Sequence, residues 1–349
     1  MTRIDALLKK LDEIGADAAL LYAPQSLFYA SGFTGGEGTV VITRKRLCLL
    51  TDSRYTLQAQ AEAKSFEILP HDTPLSTLLS DTSTIACELD FLSVNAFASL
   101  KSKLSEKEWV DISESLLMLR KNKDITELSA ITQAVRLADE AFSNTLNQIR
   151  PGMCEFEVAA LLEEYMRREA GATPSFDTIC ASGIRSALPH GVASNKIIEK
   201  GDFLTIDFGC VLNGYCSDMT RTVCIGPANT RQKEIYNIVL YAQSLVENSA
   251  ENGMEASALD AVARKSIDSF GFGAYFGHSL GHGVGLAIHE FPTISPKSLH
   301  KIESGDVLTI EPGIYIPDFG GVRIEDMLYI TEMGYEVLTK TSKNLIEIL

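Results

Sequence analysis

Apolar and polar positions change period along the first third of the chain. From Ile4 to Ile14 apolar residues recur at three- and four-residue spacing, which predicts a helix closed by Gly15. Ala18 to Tyr22 is a continuous apolar run of the length that fills a buried strand, and Gly35-Gly36-Glu37-Gly38 separates it from strand-like segments at Thr39 to Thr43 and Arg46 to Thr51. Alternation continues to about Leu119 and predicts a small α/β domain of short β-α-β units over residues 1–119. Arg120-Lys-Asn-Lys-Asp124 is a charged seam, and Asp124-Ile-Thr-Glu127 has the spacing of a capping box, so a long helix is expected from there to about Ile149. The boundary is placed near Arg120, with a second domain over 120–349.

The second domain repeats a plan. Ile198-Glu-Lys-Gly-Asp-Phe-Leu-Thr-Ile-Asp-Phe-Gly209 and Ile302-Glu-Ser-Gly-Asp-Val-Leu-Thr-Ile-Glu-Pro-Gly313 are nearly the same segment, and each ends an apolar strand on a carboxylate, Asp207 or Glu311. Arg150-Pro-Gly-Met153 leads into a helix through Ala170, and Glu251-Asn-Gly-Met254 into another through Phe270; each is followed by a loop histidine, His190 or His289, before its copy of the motif. Helix, histidine, strand and carboxylate occurring twice imply a pseudo-twofold α+β domain with a curved antiparallel sheet.

Alternation within the strands points to chemistry. Leu204, Ile206 and Phe208 share one face of the first strand, and Thr205 and Asp207 share the other. Asn213-Gly214 is a hairpin turn signal, and the return strand Tyr215 to Val223 is expected to bring Asp218 within about one residue of the position facing Asp207. In the second copy Val307 to Ile310 leads to Glu311, Pro317-Asp318-Phe319-Gly320-Gly321 turns the chain, and Val322-Arg-Ile-Glu325 returns another acid. Facing anions repel, and a cation between them reverses the sign. Gly277-His-Ser-Leu-Gly-His-Gly-Val-Gly285 offers His282 with glycines on both sides. Four carboxylates and one neutral imidazole match two divalent cations in charge. The set is rich in oxygen and free of thiolate, which suits Mn²⁺, Co²⁺ or catalytic Zn²⁺ better than a structural zinc site. Two such ions can hold a hydroxide between them.

Composition narrows the class. A length of 349 residues suits two domains, and 45% hydrophobic content supplies ordinary cores. A formal charge of -15 disfavours nucleic acid and anionic membranes as partners. The seven cysteines include no Cys-x-x-Cys pair and read as buried free thiols of a reducing compartment. The N-terminal stretch mixes charged and apolar residues with no uncharged run of signal or spanning length, so the expected location is cytoplasmic. Gly35 to Gly38 lacks the Lys-Ser/Thr of a P-loop and reads as a turn.

The order Asp, Asp, His, Glu, Glu, with Leu188-Pro-His-Gly191 upstream and Glu311-Pro-Gly-Ile-Tyr315 and Gly321-Val-Arg-Ile-Glu-Asp326 downstream, resembles the pita-bread metallopeptidases. Within them it is most similar to Xaa-Pro aminopeptidase (aminopeptidase P) and Xaa-Pro dipeptidase (prolidase). Through Ser31-Gly-Phe-Thr-Gly35 the first domain resembles the creatinase-type N-terminal domain of those enzymes. The resemblance implies a metal cage of Asp207, Asp218, His282, Glu311 and Glu325, with Asp207 and Glu325 bridging two ions, Mn²⁺ foremost. It implies Glu311 as general base, His289 stabilising the tetrahedral intermediate, His190 as a catalytic residue that bonds substrate and assists proton transfer, and His278 and Arg323 lining the proline side. The implied reaction is hydrolysis of the bond between an N-terminal residue and proline by a metal-bridging hydroxide, in a homodimer.

Alternatives stand beside these roles. His278 could be a core histidine and Arg323 a partner for a neighbouring carboxylate; Tyr315 and Phe176 read as packing residues first and as walls of the pocket second, and His71 and His300 as surface positions. In His289-Glu-Phe-Pro-Thr293 threonine stands where some prolidases carry arginine, which favours the aminopeptidase over the dipeptidase. Methionine aminopeptidase, or a non-catalytic binding protein of the same fold, fits less well because its usual domain plan or ligand set differs.

Overall fold

The computed structural model describes residues 2–349, which divide into two units, one ending at Arg120 and one running from Lys121 to Leu349. The first unit is built on six strands: β1 (Ala18–Leu21), β2 (Thr39–Thr43), β3 (Leu47–Thr51), β4 (Glu67–Pro70), β5 (Thr84–Cys87) and β6 (Glu108–Asp111), in the order β4-β3-β2-β1-β5-β6. β1 is central, antiparallel to β2 and parallel to β5, and all four of its residues are buried, so it reads as an unbroken apolar run. The helix Arg3–Glu13 starts on a Thr2/Asp5 capping box and buries Leu7 and Leu11. Apolar patterning gives no sign of the helix Pro24–Ser31. Its N-terminus is capped from afar: the buried carboxylate of Glu88 accepts the amides of Tyr22 at 2.6 Å and Ala23 at 3.0 Å and the hydroxyl of Ser26.

In the second unit the helix Ile125–Leu146 opens on the expected capping box. Asp124 accepts the amides of Thr126 and Glu127 at 2.8 and 2.9 Å, and Glu127 returns to the amide of Asp124 at 3.0 Å. The strands that follow are β7 (Thr173–Pro174), β8 (Ile179–Ser182), β9 (Phe203–Phe208), β10 (Cys210–Leu212), β11 (Tyr215–Cys216) and β12 (Met219–Ile225). The second half supplies β13 (Gly281–Gly283), β14 (Glu290–Ile294), β15 (Val307–Ile310), β16 (Gly313–Ile316), β17 (Gly320–Arg323), β18 (Asp326–Thr331), β19 (Gly334–Val337) and β20 (Glu347–Ile348).

The repeat becomes two principal sheets, β20-β12-β9-β8 and β14-β13-β15-β18-β19, with the smaller pairings β11-β10-β7 and β16-β17 beside them. The arrangement departs from a purely antiparallel sheet, because β20 runs parallel to β12. A strand that returns by a long connection has no hairpin to set its direction. Each half has its own core. Phe142 and Leu162 from the helices Ile125–Leu146 and Glu155–Ala170 pack with Ile206 and Val223; Val239 and Leu259 from Thr230–Ser249 and Ala256–Ser269 pack with Ile310 and Leu328.

Asn213 and Gly214 both take positive φ, 53° and 83°, in the turn expected of Asn-Gly. One register then runs through the whole hairpin, from Leu212↔Tyr215 to Phe208↔Met219 and Asp207↔Thr220. The expected placement of Asp218 is corrected by this register: it falls opposite Gly209, two residues from the partner of Asp207. An offset of two keeps both acids on one face, whereas an offset of one would have split them. The strands part at Gly209, where a Cβ would lie 1.8 Å from the carbonyl oxygen of Ser217 and 2.5 Å from Ser175 Oγ.

Gly209→Ala is expected to cost at least about 2 kcal/mol, because backbone blocks the added methyl. Urea unfolding checks this; a variant as stable as the parent would sink it. A second expectation concerns Asp306, whose buried carboxylate accepts the amide of Glu303 at 2.8 Å and lies 3.7 Å from Lys121 Nζ. Burial pushes its pKa from 3.8 up to about 6, against the Glu303 amide and the charges of Lys121 and Lys123. The folded state holds this proton more tightly than the unfolded chain. The associated stability is therefore complete below about pH 4 and lost as pH rises through about 6. Asp306→Asn should shift stability relative to wild type in the variant's favour across that window, and a difference independent of pH in urea titrations would refute it.

Candidate metal centre

The second hairpin also keeps one register. Ile310 pairs with Asp326 and Gly313 with Arg323, so Glu311 and Glu325 fall opposite each other in the gap between the two ladders. The first hairpin places Thr220 opposite Asp207, with Asp218 diagonal to it. The hairpins are joined where the Glu325 amide donates to the Thr220 carbonyl at 3.1 Å. His282 arrives on β13, its amide held by Thr309 Oγ1 at 3.0 Å.

These elements bring the acids to one imidazole. His282 Nε2 lies 3.6 Å from Asp218 Oδ2 and 3.5 Å from Glu311 Oε1. The donor atoms of Asp218, His282 and Glu325 all lie within 4.8 Å of one another. His282 Nδ1 is 3.0 Å from the Gly283 carbonyl, which assigns the proton to Nδ1 and turns the Nε2 lone pair toward the carboxylates. Burial holds the His282 pKa down at about 4, so the ring is neutral near pH 7.

The carboxylates disfavour one another. Burial raises Asp218 well above the ordinary range, and Glu325, Asp207 and Glu311 raise it further against the pull of Arg323. Glu325 is raised by burial and then by Glu311 and Asp207. Glu311 is pushed up to about 8, chiefly by burial. Among the described residues, the buried oxygens Asp207 Oδ1 and Asp218 Oδ1 have no hydrogen-bond partner. Orphaned carboxylate oxygens, repelling acids and an inward imidazole lone pair together make a donor set that fits divalent cations.

Arg323 lies against a neighbouring carboxylate, as its alternative reading has it. It is buried, its Nη2 pairs with Asp207 Oδ2, Nε donates to Thr220 Oγ1 at 3.0 Å, and Nη1 donates to Tyr315 Oη at 2.8 Å and the Pro189 carbonyl at 3.2 Å. The guanidinium is committed to orienting the cage because its fork matches several fixed acceptors at once. His278 likewise has both ring nitrogens engaged, Nδ1 by the Ser279 carbonyl at 2.8 Å and Nε2 by Tyr315 Oη at 2.9 Å, and burial holds its pKa at about 4. His289 is exposed and meets the His282 ring edge-on, with centroids 4.4 Å apart; His190 is exposed on its own loop.

Three contributors escaped the sequence reading. Tyr315, taken for packing, links His278 to Arg323. Thr220 donates to Glu325 Oε2 at 2.6 Å, and Thr309 donates to Glu311 Oε1 at 3.4 Å while holding His282. A signal for Thr309 was present: it lies two residues before Glu311, a polar residue on the same face of an otherwise apolar strand.

Comparison with known proteins gives two family matches, the Creatinase/Prolidase N-terminal domain over residues 3–121 and metallopeptidase family M24 over residues 129–332. The Xaa-Pro dipeptidase of Pyrococcus furiosus is 42% identical, covering 99% of each chain. Among solved structures, an Xaa-Pro dipeptidase from Bacillus anthracis has a TM-score of 0.95 at 43% identity, covering 99% of each chain. An X-Pro aminopeptidase from Thermotoga maritima has a TM-score of 0.91 at 40% identity, covering 97% of this chain and 100% of that one.

Divalent cations should raise the melting temperature of chelator-treated wild type, and Asp218→Asn should lose most of that rise. In chelator alone Asp218→Asn should melt no lower than wild type, because it removes one of the mutually repelling acids. Calorimetry with and without Mn²⁺ checks both; a wild type indifferent to cations would remove the site.

Proposed function

The chain belongs to metallopeptidase family M24, and from that premise we propose that it is a metal-dependent Xaa-Pro dipeptidase. The carboxylate and imidazole cluster around His282 carries the chemistry, and the relatives named dipeptidases from Pyrococcus furiosus and Bacillus anthracis support the substrate class. This reverses the order expected from Thr293. One uncharged position is a weaker guide than likeness along the full chain, since a terminal carboxylate can be bound by donors elsewhere in a pocket.

In this reading Asp207, Asp218, His282, Glu311 and Glu325 hold two divalent cations, Mn²⁺ foremost, which when bound supply a nucleophilic water near neutral pH. Glu311, whose Oε1 is held by Thr309 Oγ1 and faces His282 Nε2, takes the proton. Arg323 keeps Asp207 oriented, and His289, lying against His282, donates to the oxyanion that develops on the scissile carbonyl. His190 bonds the substrate from its exposed loop, and His278 with Tyr315 forms a wall for the proline ring. An Xaa-Pro bond has no N–H, so a site that relies on shape and on the carbonyl oxygen can use a bond that donor-dependent peptidases handle poorly. The free cysteines suit a reducing, cytoplasmic setting, and among the described residues no helix is long and apolar enough to cross a membrane.

Xaa-Pro aminopeptidase is the second reading. Thr293, the ladder partner of His282, brings no charge for a terminal carboxylate, and Arg323 is held by protein partners. Steady-state kinetics on matched Xaa-Pro and Xaa-Pro-Yaa peptides with Mn²⁺ separates the two. Higher kcat/KM for the dipeptides is expected, equal or better cleavage of the tripeptides would install the aminopeptidase, and hydrolysis of neither would dismiss both. His289→Ala should lower kcat by about 100-fold while the metal-induced rise in melting temperature survives.

A further inference from the structure

The segments that carry His190 and His278 are held from behind by one device, present once in each half of the second unit. Glu155, the first residue of its helix, is fully buried. It accepts Ser182 N at 2.7 Å, Ser182 Oγ at 2.9 Å, Ser194 N at 3.1 Å, Ser194 Oγ at 2.6 Å and Arg185 Nη1. The other terminal nitrogen of Arg185 holds the Val192 carbonyl at 3.0 Å, two residues beyond His190. Between these anchors the chain turns tightly, with Gly191 N on the Leu188 carbonyl at 3.1 Å and Val192 N on the His190 carbonyl at 2.9 Å. From the other flank Arg323 donates to the Pro189 carbonyl at 3.2 Å while its Nη2 holds Asp207. The turn bearing His190 is thus pinned by two guanidinium groups, one of which also orients a cage carboxylate.

In the second half the fully buried Asp260 accepts Arg264 Nε at 2.6 Å, Arg264 Nη2 at 3.0 Å and the amide of Leu280 at 3.1 Å. Arg264 donates from Nη1 to the Phe276 carbonyl at 3.0 Å and from Nη2 to the His278 carbonyl, and its guanidinium carbon lies 4.5 Å from the Phe276 ring centroid. In both pairs the carboxylate is buried and the arginine only partly so, 26% and 30% exposed, and an ion pair that desolvates its acid while one partner still meets solvent is a poor source of net stability. What both pairs do is fix backbone carbonyls within or beside a histidine segment, a task that needs a planar fork able to serve a carboxylate and a carbonyl together.

We propose that Arg185 and Arg264, anchored on Glu155 and Asp260, are positioning residues that act through His190 and His278 without touching substrate. The proposal rests on the dipeptidase reading for its kinetic readout alone.

The test is a pair of double-mutant cycles on an Xaa-Pro dipeptide, with Arg136→Ala, which removes an exposed arginine, as a control expected to match wild type. Arg185→Lys and Arg264→Lys should each lower kcat/KM by about 10- to 100-fold with metal content unchanged. In the His190→Ala background Arg185→Lys should cost less than about threefold, and likewise Arg264→Lys in His278→Ala. Losses that multiply in full would overturn the proposal. Histidine ring NMR of the metal-free protein is the second readout: Arg185→Lys should move the His190 resonances and leave His278 in place, Arg264→Lys the reverse, and unmoved rings would overturn it. If Arg185→Lys fails to fold, Glu155→Gln must show the same coupling to His190. A wild type that cleaves no Xaa-Pro peptide would end the dipeptidase reading, while the NMR still decides the positioning.

Discussion

Mutual repulsion among Asp207, Asp218, Glu311 and Glu325 is the constraint around which the second unit is organised. Two hairpins bring these acids into a buried space where each raises the cost of ionising another, and Arg323 offsets only part of it. A protein gains nothing in stability from such crowding unless a cation completes it. The surrounding polar contacts follow from that need. Thr220 orients Glu325, Thr309 orients His282 and Glu311, and the Gly283 carbonyl sets the tautomer of His282.

The duplication supplies the scaffold and its departures supply the chemistry. Asp207 and Glu311 are equivalent in the repeat, yet the residue across the ladder is Thr220 in the first hairpin and falls at Glu325 in the second. At the diagonal position the first hairpin carries Asp218, and the second carries Arg323. One half therefore contributes an acid where the other contributes the cation that holds an acid, and the centre is asymmetric although the backbone is nearly repeated. The carboxylate–arginine pairs behind the histidine segments show the same economy: Glu155 with Arg185 and Asp260 with Arg264 occupy different sequence positions in their halves but fix the same kind of carbonyl.

Much of this was legible from local rules. The Asp124/Glu127 capping box, the Asn213-Gly214 turn and the strand faces of Phe203 to Phe208 each depend on residues a few positions apart, where spacing alone carries the geometry. The helix Pro24–Ser31 was invisible because its cap, Glu88, lies more than sixty residues away. The offset of Asp218, by contrast, follows from chain order alone: counted back from the two-residue turn at Asn213-Gly214, an unbroken register sets Thr220 opposite Asp207 and Asp218 opposite Gly209.

The sequence by itself determined which residue types could form a metal cage and that they would come from two copies of one unit. Periodicity and repeat are properties of the chain order, and they survive without knowledge of long-range contacts. Only the tertiary structure decided what Arg323 and Tyr315 do. A guanidinium has the same formal charge whether it greets a substrate carboxylate or holds Asp207, and a phenol is equally apolar in a core or between His278 and Arg323. The choice depends on which acceptors are buried beside it, and that is settled when the hairpins close.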